Sequence, residues 1–156
     1  MHDMLVRLYA LPPLAPAIES CAREGVTVRR AIAPEKPAVL AFVREHFASS
    51  RSEVDAAFAH TPVRCFVAAR AGAVVGFACH DVTYRNFFGP EGVAAVERGR
   101  GIGQALLLAT LHAQHAMGYA YAIIGGVGPA SFYRKIVDAV DIVDSTPGIY
   151  AGRLGG

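Results

Sequence analysis

The sequence predicts a mixed α/β sheet in one layered domain. The first observation is length, since 156 residues suffice for one domain with a substantial core and are too few for two. The second is the order of predicted elements, in which strands and helices alternate around a central hairpin. The third is a unit of strand, glycine-rich loop, helix and strand at residues 93–124. We therefore assign residues 1–156 to a single domain.

The first half of the chain is predicted to form two strands and three helices. Periodicity predicts a strand at 4–9, a helix at 17–24, a strand at 26–32 and a helix at 34–48. Gly25 ends the first helix, and Pro34 suits the first turn of the second, where its missing N–H costs nothing. A third helix follows, and Ser50 with Glu53 has the spacing of a capping box.

The second half is predicted to begin with the hairpin, whose arms are 64–70 and 74–82 and whose turn is 71–73. Gly89-Pro90 marks a turn in the loop that follows. The remaining elements are predicted as a strand at 93–96, a helix at 102–117, a strand at 119–124, a helix starting near 129, and short strands near 140–144 and 148–152.

Composition and charge exclude several classes of protein. A net charge of +2 is too small for a nucleic-acid-binding domain, which carries clustered Lys and Arg. The uncharged stretch 113–133 is interrupted by glycines at 125, 126 and 128, so it does not read as a membrane-spanning helix. The N-terminal residues lack the pattern of a secretory signal. We expect a cytoplasmic protein without nucleic-acid or membrane partners.

Cysteine and histidine usage predicts neither a disulfide framework nor a metal site. Cys21, Cys65 and Cys79 are odd in number and show no CxxC spacing, which favours buried, reduced thiols. His112 and His115 lie three residues apart on a predicted helix, but no third ligand accompanies them.

Three glycines and two arginines precede the helix predicted at 102–117, in the segment Arg-Gly-Arg-Gly-Ile-Gly at 98–103. The first N–H groups of a helix lack partners and carry partial positive charge, so an anion stabilises them. Glycines let a phosphate approach these amides, and Arg98 and Arg100 add charge. The segment predicts a phosphate or pyrophosphate site; the alternative is a packing turn with solvated arginines.

Three phosphate-binding patterns can be compared with this segment. A P-loop needs Lys followed by Ser or Thr, and this pair does not occur in the chain. A Rossmann fingerprint needs G-x-G-x-x-G, whereas Gly101 and Gly103 are followed by Leu106 at the third glycine position, which disfavours NAD binding. The pattern [RQ]-x-x-G-x-[GA] is filled completely by residues 98–103.

This last match carries a resemblance to a known family. "GVAAVERGRGIGQALL" resembles the acyl-CoA-binding motif of the GNAT superfamily of N-acetyltransferases, and "YAIIGGVGPASFYRK" is similar to the strand and helix that follow it. The resemblance covers 26–152 in element order, with specific motifs only within 92–135. Residues 1–25 look like an added strand and helix.

The resemblance implies a GNAT-like α/β (α+β) fold. Such a fold has a central mixed, mostly antiparallel sheet with helices on both faces and a splayed pair of parallel strands, here 93–96 and 119–124. Gly126 and Pro129 stand where the family often has Asn and Ala, so a cofactor contact from that Asn is absent.

The resemblance also implies acetyl-CoA as co-substrate and no metal. Backbone groups near Gly92 and Val93 would pair with the pantetheine arm. Positively charged side chains and backbone amides would hold the pyrophosphate. The residues that provide them are Arg98, Gly99, Arg100, Gly101, Ile102, Gly103 and Gln104.

Tyr133 lies at the family's tyrosine position, and a phenol is reasonably matched to a departing thiolate, so we expect it to be the general acid. The alternative is that it only packs in the core. Four residues remain open as the base, namely Glu91, Asp81, His80 and Glu97, and an ordered water could also relay the proton.

The hypothesis is therefore an N-acetyltransferase in which a primary amine attacks acetyl-CoA directly. A catalytically silent acyl-CoA sensor is the alternative from another class. The acceptor is a small-molecule or peptide amine that the sequence does not identify. The family also suggests a homodimer formed through the C-terminal strands.

Overall fold

The computed structural model describes residues 1–155, which form a seven-stranded sheet and five α-helices. The strands are β1 (Asp3–Arg7), β2 (Val26–Arg30), β3 (Cys65–Arg70), β4 (Ala73–His80), β5 (Phe87–Val93), β6 (Tyr121–Ile124) and β7 (Val140–Ile142). The helices are α1 (Ala15–Arg23), α2 (Lys36–His46), α3 (Arg51–Ala57), α4 (Ile102–Ala116) and α5 (Ala130–Val137).

The strands follow the spatial order β2-β3-β4-β5-β6-β1-β7. Every neighbouring pair is antiparallel except β5 and β6, which are parallel. The predicted mixed, mostly antiparallel sheet with one parallel pair is therefore confirmed. Strand β1, from the added N-terminal segment, pairs with both β6 and β7, so this segment is an integral part of the sheet.

Two apolar cores, one on each face of the sheet, confirm that helices cover both faces. One core contains the leucines of α4 and is closed by α1 and α5; its central members Leu106, Leu107 and Leu111 are fully buried. The other lies under α2 and α3 and includes Val43 and Phe77. Cys21, Cys65 and Cys79 are free and buried, as predicted.

Strand β5 corrects the sequence-based boundaries. It begins at Phe87 and runs through Gly89-Pro90, where a turn was expected, and the expected strand at 93–96 is instead a 3₁₀ turn at Ala95–Glu97. The register with β4 shifts between the pairs Ala78↔Glu91 and His80↔Phe88, which places one extra residue in β5. A bulge of this kind accommodates a proline that lacks a ladder donor.

Two smaller predictions are also wrong. Ser50 makes no side-chain cap, because a 3₁₀ turn at Ala48–Ser50 leads directly into α3 and holds Ser50 at φ −93° and ψ 0°, outside the extended region that capping requires. The expected strand at 148–152 is a 3₁₀ turn at Gly148–Tyr150, where Gly148 has φ +57°. No helix within residues 1–155 is long and apolar enough to cross a membrane.

Candidate functional site

A cleft opens where β5 and β6 separate. The two strands pair only at Phe87↔Ile123 and Phe88↔Ile124. Strand β6 then ends, whereas β5 continues to Val93 with β4 as its neighbour. The chain leaves β6 through Gly125, where a Cβ would lie 2.9 Å from the Phe87 ring, so a larger residue would not fit. The cleft has a volume of about 530 Å³.

The N-terminus of α4 faces this cleft with uncapped amides. Gly99 and Gly101 adopt φ +79° and +82°, a left-handed conformation that favours glycine, and no side chain caps the helix. The Ala105 N–H donates to the Gly101 carbonyl at 3.1 Å, so the N–H groups of residues 102–104 precede that first intrahelical bond. The arrangement suits an anion, as the sequence predicted.

Tyr133 and every predicted cofactor-binding residue except Arg100 line the cleft. Arg98 Nε donates to the Val93 carbonyl at 3.1 Å, which fixes this side chain across the end of β5. Arg100 instead lies 3.8 Å from Glu97 Oε1 with half of its side chain exposed. The sequence predicted that both arginines add charge at one place, but in the structure they occupy different positions.

Of the four candidate bases, two lie away from the cleft and one is already paired. His80 Nδ1 and Asp81 Oδ2 are 2.6 Å apart and buried, and neither residue lines the cleft. Glu97 lines the cleft, but Arg70 donates to both of its carboxylate oxygens, at 2.9 and 3.0 Å. These bonds hold the pKa of Glu97 below its ordinary value.

Glu91 is the remaining candidate and has a different environment. Its side chain lines the cleft, and its Oε2 is buried without a hydrogen-bond partner among the described residues. Burial raises the pKa of this carboxyl well above its ordinary value, because the charged form loses hydration that nothing replaces. Such a group gains a proton more readily than an exposed glutamate does.

Tyr133 lines the same cleft and is 8% exposed. Its ring packs edge-on against Phe88 and Phe132, with centroids 6.2 and 5.1 Å away. Burial, followed by the charge of nearby Glu91, raises the pKa of the phenol. The hydroxyl therefore stays protonated at neutral pH and can donate a hydrogen bond.

Phe47 is a cleft residue that sequence reasoning missed. It follows α2, and its ring lies so close to Gly92 that a Cβ there would come within 2.6 Å of it. The sequence showed Phe47 only as part of an apolar helix stripe, and nothing local relates it to a strand 45 residues later.

The sequence predicted that His112 and His115, three residues apart on α4, do not bind a metal ion. His112 is hydrogen-bonded to the Pro12 carbonyl oxygen, with Nε2 and oxygen 2.8 Å apart. Throughout residues 1–155, no three His, Cys, Asp or Glu side chains are grouped so that they could hold a metal ion.

Comparison with known proteins identifies the fold. No protein-family model and no curated protein matches this chain. Solved structures do match. One contains a GCN5-related glucosamine N-acetyltransferase region in a fungal multi-domain GH3 β-N-acetylglucosaminidase, with a TM-score of 0.74 and 17% identity over 90% of this chain and 19% of that one.

Two further matches are of bacterial origin. A GCN5-related N-acetyltransferase from Sphaerobacter thermophilus has a TM-score of 0.67 and 22% identity over 90% of this chain and 48% of that one. A GNAT family acetyltransferase from Brucella melitensis, in complex with acetyl-CoA, has a TM-score of 0.50 and 19% identity over 75% of this chain and 86% of that one.

The present chain thus spans less than half the length of the first two of these proteins. The seven-stranded sheet, its single parallel pair and the opening between β5 and β6 occur together in one domain. The resemblance inferred from the motif at 98–103 is therefore confirmed at the level of structure: the chain has the fold of the GCN5-related N-acetyltransferases.

Proposed function

We propose that this protein is an acyltransferase that moves an acetyl group from acetyl-CoA to a primary amine. One observation carries the proposal: a single cleft contains an uncapped helix N-terminus together with two buried groups able to exchange protons, Glu91 and Tyr133. The first feature suits a pyrophosphate and the second suits amine acylation. Two of the structural relatives support the same class of reaction, since one contains an N-acetyltransferase region and the other is an N-acetyltransferase.

The residues at the helix N-terminus fit the diphosphate of CoA. Backbone amides of residues 99–104 would receive its oxygens, and Arg98 would add a positive charge already fixed at the cleft edge. The unpaired edge of β5 at Gly92 and Val93 would receive the pantetheine arm, although the Val93 carbonyl already accepts one bond from Arg98. When bound, acetyl-CoA would supply the activated thioester.

Glu91 and Tyr133 provide the proton transfers that the reaction needs. An amine nitrogen forms a bond to the acyl carbon as the carbon–sulfur bond breaks. In the proposal, Glu91 accepts the proton that the nitrogen loses, since a raised pKa brings a carboxylate closer to the pKa of an amine. Tyr133 donates its hydroxyl proton to the departing sulfur.

The test is release of free thiol from acetyl-CoA in the presence of a diverse panel of amines. We expect at least one amine to give enzyme-dependent thiol release and an acetylated product of matching mass. Calorimetric titration with CoA separates the two classes of function. CoA binding without turnover of any amine would favour the acyl-CoA sensor, and absence of CoA binding would contradict both functions.

A further inference from the structure

A second, smaller pocket lies at the other end of α4. It has a volume of about 150 Å³ and is lined by residues from the end of β2, the segment before β3 and the end of β4. Met117, which follows α4, also lines it, whereas Gly103 near the start of α4 lines the cleft. At a rise of 1.5 Å per residue, these two positions are about 20 Å apart along the helix. The pocket is thus separate from the proposed catalytic site.

Two arginines line this pocket without a carboxylate partner among the described residues. Arg30 donates through Nη1 to the Val63 carbonyl at 2.7 Å, and its guanidinium lies 4.7 Å from the centre of the Phe66 ring. Arg64 donates through Nη1 to the backbone carbonyl of Asp81 at 3.1 Å. Both side chains are half-buried, and each keeps further N–H donors. A partly buried cation without a counter-ion favours binding of an anion.

His80 also lines the pocket, with its side chain almost fully buried. It is 1% exposed, and its Nδ1 lies 2.6 Å from Asp81 Oδ2. Burial alone would raise the pKa of Asp81, but hydrogen bonds from His80 and from the Asn86 N–H outweigh burial and leave it below its ordinary value. Asp81 is therefore a carboxylate that accepts the Nδ1 proton. The second nitrogen, Nε2, is buried and has no partner among the described residues.

The charges around the pocket favour an anion over a cation. Two guanidinium groups exceed the single carboxylate of Asp81, even with the half negative charge that the C-terminus of α4 contributes. His60 lines the pocket as a further neutral or positive group. Arg30 and Arg64 would repel a metal cation in this pocket, so His60 and His80 do not form a metal site.

We propose that this pocket binds a small oxyanion bearing an O–H group, namely hydrogen phosphate. With Nδ1 bonded to Asp81 Oδ2, Nε2 is the ring nitrogen left for a ligand. Hydrogen phosphate both donates and accepts, so it can bond to Nε2 as well as accept from Arg30 and Arg64 through its other oxygens. A volume of about 150 Å³ is several times the roughly 10–15 Å³ that one water needs, so the pocket has room for a phosphate ion.

The chain's three methionines allow a direct test. Met117 lines the pocket, whereas Met4 is fully buried in the sheet, and both can be observed by NMR after labelling with ¹³C-methyl methionine. Inorganic phosphate is titrated against sodium chloride of equal ionic strength. We expect a saturable shift of the Met117 signal with half-saturation in the millimolar range and an unchanged Met4 signal. Absence of a Met117 shift would overturn the proposal.

Two variants and a matched control identify the groups involved. In His80→Asn the amide nitrogen can replace Nδ1 as donor to Asp81, but nothing replaces Nε2; we expect phosphate to bind roughly tenfold more weakly. Arg64→Gln removes one charge and should weaken binding similarly. Arg44→Ala removes an exposed charge elsewhere and should leave binding unchanged. Unchanged binding in His80→Asn, with its fold intact by circular dichroism, would overturn the proposal.

Two competing ligands complete the experiment. Acetate lacks the O–H group, and glycerol 3-phosphate carries the phosphoryl group on a larger molecule. We expect both to shift the Met117 signal only at higher concentration than inorganic phosphate. Tighter binding of either would overturn the assignment to free hydrogen phosphate. No step of this test depends on acetyl transfer. The phosphate proposal can therefore fail while the proposed function stands, and the proposed function can fail while the phosphate proposal stands.

Discussion

The two halves of β5 differ in their neighbours and their chemistry. The first half, Phe87 and Phe88, pairs with β6, and both rings are buried. The second half, residues 89–93, keeps β4 as its neighbour but has no partner in β6. Its side chains include Glu91, whose Oε2 is buried without a hydrogen-bond partner among the described residues. A single strand is therefore part of the core at its start and the wall of a cleft at its end.

This contrast shows how the fold tolerates Glu91. In the paired half, a carboxylate would replace a buried phenyl ring and would have no opening beside it. In the open half, the same residue borders a cleft of about 530 Å³ that a substrate or water can enter. The bulge at Gly89-Pro90 separates the two halves. The difference predicts that changes in the open half affect turnover, whereas changes in the paired half affect folding.

The largest effect is expected for Glu91→Gln. The amide is nearly isosteric but cannot accept the proton from the amine, so kcat for the amine identified in the thiol-release screen should fall about a thousandfold, within the range of general base catalysis. Folding should not suffer, because the variant removes a buried group whose charged form is unfavourable.

Glu19→Gln is the matched control, since Glu19 is exposed on α1, outside the cleft. It should leave kcat unchanged. If Glu91→Gln retained full kcat, the base would have to be a water or another residue, and the distinction between the two halves of β5 would lose its catalytic meaning.

Tyr133→Phe should have the next largest effect. Loss of the hydroxyl removes the proton donor for the departing sulfur, and we expect kcat to fall about a hundredfold with little change in CoA affinity. The ring contacts with Phe88 and Phe132 remain, so the protein should melt at nearly the same temperature. Tyr9→Phe, at an exposed tyrosine, provides the comparison. Full activity of Tyr133→Phe would reduce the residue to a packing role.

Local signals account for what the sequence predicted. The glycines at 99, 101 and 103 and the apolar run after them determine the start of α4, because both helix initiation and amide exposure are decided within a few residues. The same holds for the hairpin of β3 and β4, whose arms are joined by a short turn. These elements were found with boundaries that agree within two residues.

Long-range contacts account for the features that the sequence did not predict. Gly89-Pro90 is locally a turn signal, and only the pairing with β4 reveals a bulged strand. Glu97 and Glu91 were equal candidates in sequence. Arg70, 27 residues before Glu97, binds Glu97, whereas no described residue donates to Oε2 of Glu91. The covering of Gly92 by Phe47 likewise depends on the packing of α2 against β4.

The two arginines of the motif should differ in their effect on CoA affinity. Arg98→Ala removes a charge fixed at the cleft edge, and we expect the Kd for CoA to rise about tenfold. Arg100→Ala removes a half-exposed side chain already close to Glu97, so the Kd should rise by less than about threefold. Calorimetry at two salt concentrations checks both, and the dependence on salt should flatten more for Arg98→Ala. Equal effects would contradict the separation seen in the structure.

The last effect concerns folding rather than binding or turnover, and its sign follows from the raised pKa of Glu91. The folded protein holds this proton to a higher pH than the unfolded chain does, so unfolding releases it above the ordinary pKa of 4.5. The free energy of unfolding of the wild type should therefore fall as pH rises through this window, by at most about 1.4 kcal/mol per pH unit. Glu91→Gln lacks this component, so the difference in stability between the two proteins should grow with pH. Urea unfolding at a series of pH values measures this difference. A constant difference would mean that Glu91 is hydrated in the cleft and ionises as an exposed carboxylate does.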